Sequence, residues 1–149
     1  PAVQLKIYQF RDLYKRYART ALYAHPFMTP QQEWVHVSEH HYEDGLVILS
    51  MEQLKMSFFA PELYFNPALY EWACILVESK DIKFIGCEDF IVDLANDICP
   101  QGLDGIKSWL GQTEINSSAL VIYTIINKPE RIIDLRPEWI NQFKNIYSS

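Results

Sequence analysis

The chain of 149 residues is 49% hydrophobic and 21% charged, which suits one globular domain that buries its own core without disulfide or metal staples. No run approaches the roughly 18 uninterrupted apolar residues of a spanning helix, so no membrane segment is expected. A net charge of −6 and a pI near 5.1 argue against direct binding of nucleic acid.

The first residues carry no short apolar run with a small-residue cleavage site, so a signal peptide is absent or already removed and the cytoplasm is the expected location. Three cysteines, Cys74, Cys87 and Cys99, lie 13 and 12 apart without a CxxC pair. Free thiols are expected rather than a disulfide framework. Charge is uneven: residues 1–25 carry +4, residues 29–104 carry −11 and residues 105–149 carry +1. A basic head thus precedes an acidic body.

In chain order, residues 1–25 read as a basic amphipathic helix packed on that body. Val3, Ile7, Phe10, Tyr14, Tyr17 and Ala21 recur at helical steps, and Arg11, Lys15 and Arg19 line the outer face. His25-Pro26 ends it. Thr29-Pro30-Gln31-Gln32 carries helix-start signals, predicting a helix from Pro30 to about Glu43 closed by Gly45. The competing reading makes Trp34 to Val37 a strand and Glu43-Asp44-Gly45 a turn.

LVILS at 46–50 is a buried strand, and Ser50 with Gln53 opens a short helix through Phe59. PELYFN at 61–66 is irregular and aromatic, and Asn66-Pro67 starts a helix over ALYEWACILVESK. IKFIG at 82–86 is strand-like, EDFIVDLANDI is a helix to Ile98, and Leu103 to Leu110 is another. ALVIYTIIN is the strongest strand pattern, rich in β-branched and aromatic residues; IIDL is placed beside it, and Pro137 to Tyr147 closes the chain as a helix. The expected fold is α+β: residues 1–149 form a mainly helical single domain with a three- to four-stranded sheet flanked by helices.

HVSEHHYEDG, residues 36–45, gathers three of the four histidines. His36-Val37-Ser38-Glu39-His40 has the form H-x-x-E-H and resembles the motif of inverted zinc peptidases. That resemblance implies a small metal-dependent hydrolase, with His36 and His40 sharing one helix face, Glu39 as base and Glu114 as a distant third ligand. The plain alternative is a polar face that binds no metal. Arg19 and His25 resemble the R-x4-6-H element of small helical ribonucleases, but the segment sits in a first helix rather than late in a bundle. The pair of helices around Pro100-Gln101-Gly102 resembles a helix-turn-helix, yet Glu88, Asp89, Asp93 and Asp97 would repel DNA phosphates.

Those aspartates supply the main expectation. Asp89, Asp93 and Asp97 fall at i, i+4 and i+8, where like charges destabilise a helix, and Asp97 sits near the end that prefers cations. Something basic must answer them. The internal answer is the Arg11, Lys15 and Arg19 stripe, within the monomer or across a homodimer. The functional answer is a basic protein partner, such as a nuclease toxin, with Phe58, Phe59, Tyr64, Phe65, Tyr70 and Trp72 as hydrophobic anchors. The expected function is therefore intracellular protein binding, as an immunity-type inhibitor or adaptor, with no cofactor and no catalytic group.

Overall fold

The computed structural model describes residues 11–148. Among them a short helix α1 (Arg11–Arg16) precedes strand β1 (Arg19–Tyr23), and β2 (Ser38–His41) and β3 (Leu46–Ser50) follow. Then come α2 (Met51–Phe59), α3 (Pro67–Lys80), α4 (Ile91–Ile98), α5 (Gly102–Leu110), α6 (Ser117–Asn127), α7 (Pro129–Leu135) and α8 (Pro137–Ser148), with a 3-10 turn at Cys87–Phe90 leading into α4. The strands form one sheet in the order β1-β3-β2, with β1 parallel and β2 antiparallel to the central strand. This is the mainly helical α+β fold with a small sheet that the sequence predicts. No helix among the described residues is long and apolar enough to cross a membrane.

The single helix expected over residues 1–25 is corrected. Val3, Ile7 and Phe10 lie outside the described residues, and α1 ends at Arg16, where the Tyr17 N–H closes on the Leu13 carbonyl at 3.0 Å. Two residues later the Arg19 N–H donates to the Gly45 carbonyl at 3.2 Å, and β1 runs beside β3 from Arg19↔Leu46 to Tyr23↔Ser50. Helical spacing was satisfied, but a strand partner was available and Thr20 and Tyr23 favour extended backbone. Tyr17 does pack inward, 5% exposed, against Val47, Leu49 and Ile75.

The helix expected over 30–43 is also absent. Thr29 makes its capping bond, accepting the Gln32 N–H at 3.2 Å, but the bond closes a lone turn. Phe27 then pairs antiparallel with His36, and β2 pairs with β3 from Ser38↔Leu49 to His41↔Leu46. The competing reading had the turn right and the strand a few residues early. Gly45 holds φ +58° in that turn, and a Cβ there would come 2.1 Å from the Arg16 carbonyl oxygen, so the hairpin needs glycine. The deciding force is β3: Val47, Ile48, Leu49 and Ser50 are all buried, and their backbone groups need ladder partners on both sides.

Downstream, α3 forms as read. The Asn66 side chain accepts the Leu69 N–H at 3.0 Å and Pro67 occupies the first turn. ALVIYTIIN is not a strand but α6, capped by Asn116 through the Ala119 N–H. Ala119, Leu120 and Val121 are fully buried and Ile122 and Tyr123 nearly so, because α3, α4 and α7 pack around it. A helix enclosed on all sides has no polar face, so its sequence loses helical periodicity and looks like a strand.

IKFIG is not a strand either. Ile82 and Phe84 are buried and Lys83 and Ile85 exposed, but the backbone bonds go to Val77 of α3 and to the Ser118 hydroxyl rather than to another strand. IIDL belongs to helix α7, started by Pro129. The main core runs from Phe65 and α3 through Leu94, Ile106 and α6 to Trp139 and Phe143.

Candidate functional site: an acidic cavity between β2 and α3

Where β2 crosses α3, a cavity of about 400 Å³ opens, bounded also by the 29–32 turn and the 111–116 connection. Gly111 lets that connection approach. It holds φ +68°, and a Cβ there would lie 2.2 Å from the Val35 carbonyl oxygen. The Gln112 amide donates to the Gln32 side-chain oxygen at 3.4 Å across one rim, and the Asn116 N–H donates to the Tyr70 hydroxyl at 2.9 Å on the α3 side.

On α3, Glu71, Cys74 and Glu78 recur at helical spacing on the wall, so both carboxylates face β2. His40 reaches between them. Its Nδ1 lies 2.5 Å from a Glu71 oxygen and its Nε2 2.8 Å from a Glu78 oxygen. Burial, the largest single influence, pulls the imidazole down, but the hydrogen bonds and charges of Glu71 and Glu78 together outweigh it and raise His40 to about 9. The same contact holds Glu78 below its ordinary value. His40 is thus an imidazolium clamp fastening the sheet to α3.

A second node lies beside it. Glu39 accepts the Thr29 hydroxyl at 2.7 Å and faces His36 Nε2 at 2.9 Å and His41 Nε2 at 3.0 Å, while His36 Nδ1 donates to the Trp34 carbonyl at 2.7 Å. His36 is fully buried and Glu39 is 6% exposed.

The lining contains the carboxylates of Glu39, Glu71, Glu78 and Glu114, and no lysine or arginine among the described residues. With His40 and His41 both charged, the wall would still hold an excess of two negative charges. Neighbouring groups register this field: burial first, and then the charges of Glu71 and Glu78, push the Cys74 thiol and the Tyr17 phenol up.

The H-x-x-E-H reading changes with the backbone. On a helix His36 and His40 would be neighbours on one face, about 6 Å apart; along extended chain, four residues span up to about 13 Å, too far for both rings to reach one ion. Here His36 engages Glu39 while His40 engages α3, and both nitrogens of each ring already face protein oxygens. Glu114 does line the same cavity as Glu39 and His40. Among the described residues, no group of three or more His, Cys, Asp or Glu side chains is arranged to hold a metal ion. Arg19 and His25 do not meet either: Arg19 donates to the Asp44 carbonyl and His25 pairs with Glu52 at 3.1 Å.

The α4 stripe is resolved differently. Because α4 begins only at Ile91, Asp93 lies in its first turn, where the dipole favours an acid. Asp97 is answered from within the chain by α7: Arg131 Nε donates to it at 2.6 Å, and Lys128 caps its carbonyl. Asp97, and at longer range Asp134 and Asp93, raise the Arg131 guanidinium further. Asp89 and Asp93 remain exposed.

Of the expected anchors, Phe65 and Tyr70 are 2% and 5% exposed and belong to the core, Phe65 stacking on Tyr123 at 4.1 Å. Tyr64 stacks on Trp109 at 4.9 Å, and Trp72 meets Tyr17 edge-on at 6.1 Å. These rings hold the fold together and are not offered as a docking row. Phe58 and Phe59 do face solvent, 69% and 87% exposed.

Sequence reasoning did not single out Glu71 or Glu78. Their seven-residue spacing on a securely capped helix, flanking Cys74 on one face, was the available signal. Comparison with known proteins finds no matching family model, no similar curated protein and no similar solved structure.

Proposed function

We propose that the protein acts by binding a basic protein partner, as an inhibitor or adaptor of the kind that neutralises a nuclease toxin, and that the cavity between β2 and α3 is the centre of its binding surface. The supporting observation is the lining: four glutamates, with no lysine or arginine among the described residues. Concave walls concentrate such a field, and complementary charge speeds and orients docking. Glu78 and Glu114 are exposed enough to steer a partner, while Glu39 and Glu71 sit deep enough to hold one. The α4 face is the weaker centre, because Asp97 is already neutralised by Arg131.

The test is affinity capture from the native source at low and high salt, with three baits: the unaltered chain, the Glu78→Lys/Glu114→Lys pair and the Asp89→Lys/Asp93→Lys pair. A stoichiometric basic protein, released by salt, lost on the first pair and kept on the second, is the expected result. Loss on the α4 pair alone would move the site to α4. No partner on any bait would reject the binding reading.

A further inference from the structure

We infer that residues 28–35 form a strap whose closure on the sheet is linked to a proton on His36, so that rising pH releases it.

The strap is lightly built. It leaves the sheet at Phe27 and returns at His36, where two backbone hydrogen bonds of 2.9 Å join the pair. Between them only Thr29 and Gln32 are even partly buried, while Met28, Trp34 and Val35 face solvent. A segment with so few buried contacts opens at low cost, so its polar ties decide its state.

Those ties converge on one carboxylate. The Thr29 hydroxyl reaches both oxygens of Glu39, at 3.0 and 2.7 Å, and His41 Nε2 stands against the first of them, the surroundings of an ionised acceptor. Nε2 of the fully buried His36 faces the second at 2.9 Å, while its Nδ1 donates to the Trp34 carbonyl. A carbonyl and a carboxylate only accept, so the closed strap needs protons on both ring nitrogens. Without the second proton, a bare nitrogen faces a carboxylate oxygen with the imidazole shut off from solvent. Closure therefore takes up a proton, is favoured as pH falls and is lost as pH rises through the titration of the closed-state ring.

The titratable groups around the latch are few. Glu39 faces His36 directly and His41 acts through Glu39, both from β2. Tyr64 and Cys99 line an apolar groove on the other side of His36, which contains no lysine or arginine among the described residues. Glu39 also borders the cavity that holds His40, Tyr70, Glu71, Cys74, Glu78 and Glu114. Opening the strap would withdraw Gln31 and Gln32 from the rim of that cavity and Val35 from the wall of the groove. One proton thus reshapes both concavities, whatever they bind.

Release is local, so the readout is amide exchange in the strap rather than global unfolding. In the full chain, protection factors at the Phe27, Gln32 and His36 amides are followed against pH beside the 15N shifts of the His36 ring. Both ring nitrogens should carry protons wherever the strap is protected, and protection should fall by up to about tenfold per pH unit once the second proton leaves. Glu39→Gln should abolish the dependence while keeping the strap closed, because an amide N–H can donate to the bare Nε2. His41→Gln should preserve it. A ring protonated at Nδ1 alone in the closed strap, or protection that does not follow the ring's titration, would overturn the latch, and neither reading needs a variant. So would a dependence that persists in Glu39→Gln or disappears in His41→Gln.

Discussion

The acids of α4 and the acids of the β2–α3 cavity look alike in composition and differ in what surrounds them. Asp89 in the 3-10 turn and Asp93 and Asp97 on α4 are spaced like an unanswered stripe, yet the helix dipole takes Asp93 and α7 supplies Arg131 and Lys128 to Asp97. In the cavity Glu39, Glu71, Glu78 and Glu114 come from three separate parts of the chain, and the first three are answered by histidines and the Thr29 hydroxyl. An acidic run read along one helix therefore says little about free negative potential. What matters is where the cations fall after folding, and whether the carboxylates line a concave surface or a convex one.

The largest expected effect is on the cavity side. Glu71→Ala removes one jaw of the His40 clamp and strands a mostly buried imidazolium beside a single remaining carboxylate. We expect a loss of about 2 kcal/mol in urea unfolding, below the roughly 3–5 kcal/mol of a fully broken buried pair because Glu78 still answers His40. A loss no larger than that from Asp97→Ala would erase the contrast between the two regions, since the Arg131 pair on α4 is substantially exposed to solvent.

Next in size is the dependence of stability on pH. His40 is raised in the folded chain from 6.5 to about 9, so its contribution is complete below 6.5 and is lost as pH rises through about 9. Glu78 is lowered from 4.5, so its contribution is complete above 4.5 and is lost as pH falls through its folded value. The clamp is strongest between those limits. Unfolding measured at about pH 5.5 and about pH 9.5 should show a drop at the alkaline end that His40→Gln largely removes. An identical drop in the variant would assign the alkaline loss to other groups.

The same contrast explains how much could be seen in the sequence. Helix α3 was legible because its start is a local device: Asn66 caps it and Pro67 fits its first turn whatever packs nearby. The closing helix was legible from Pro137 in its first turn. Strand β1 and helix α6 were not, because each is decided at long range. Arg19 to Tyr23 became extended by finding Leu46 to Ser50 alongside, and Ser117 to Asn127 became helical inside a shell of α3, α4 and α7. The β-branched residues of α6 are tolerated because burial outweighs their modest helix penalty, and Thr124 turns its hydroxyl to the Leu120 carbonyl at 2.8 Å.

The histidines were conspicuous in the sequence, but the partners that define their chemistry were not. Glu71 lies 31 residues from His40 and Glu78 lies 38 away. The acidic character of the body was visible from composition, whereas its division into an answered face and an open cavity required knowing that α7 folds back onto Asp97.

The smallest effect is expected at Asp93. Replacing it with Asn removes an acid from the first turn of α4, where the dipole interaction is worth about 0.3–1 kcal/mol at an exposed position. It also relieves repulsion toward Asp97 at the four-residue spacing, worth about 0.2–0.5 kcal/mol, although Arg131 already screens this pair. The two terms oppose each other, so Asp93→Asn should change unfolding stability by less than about 0.5 kcal/mol. A clear stabilisation would mean that the stripe is under real repulsive strain, and would return α4 to consideration as the face a basic partner relieves. A clear loss would mean that Asp93 helps hold Arg131 as Asp97 does, binding α4 more firmly to α7 and leaving the cavity as the larger concentration of unanswered charge.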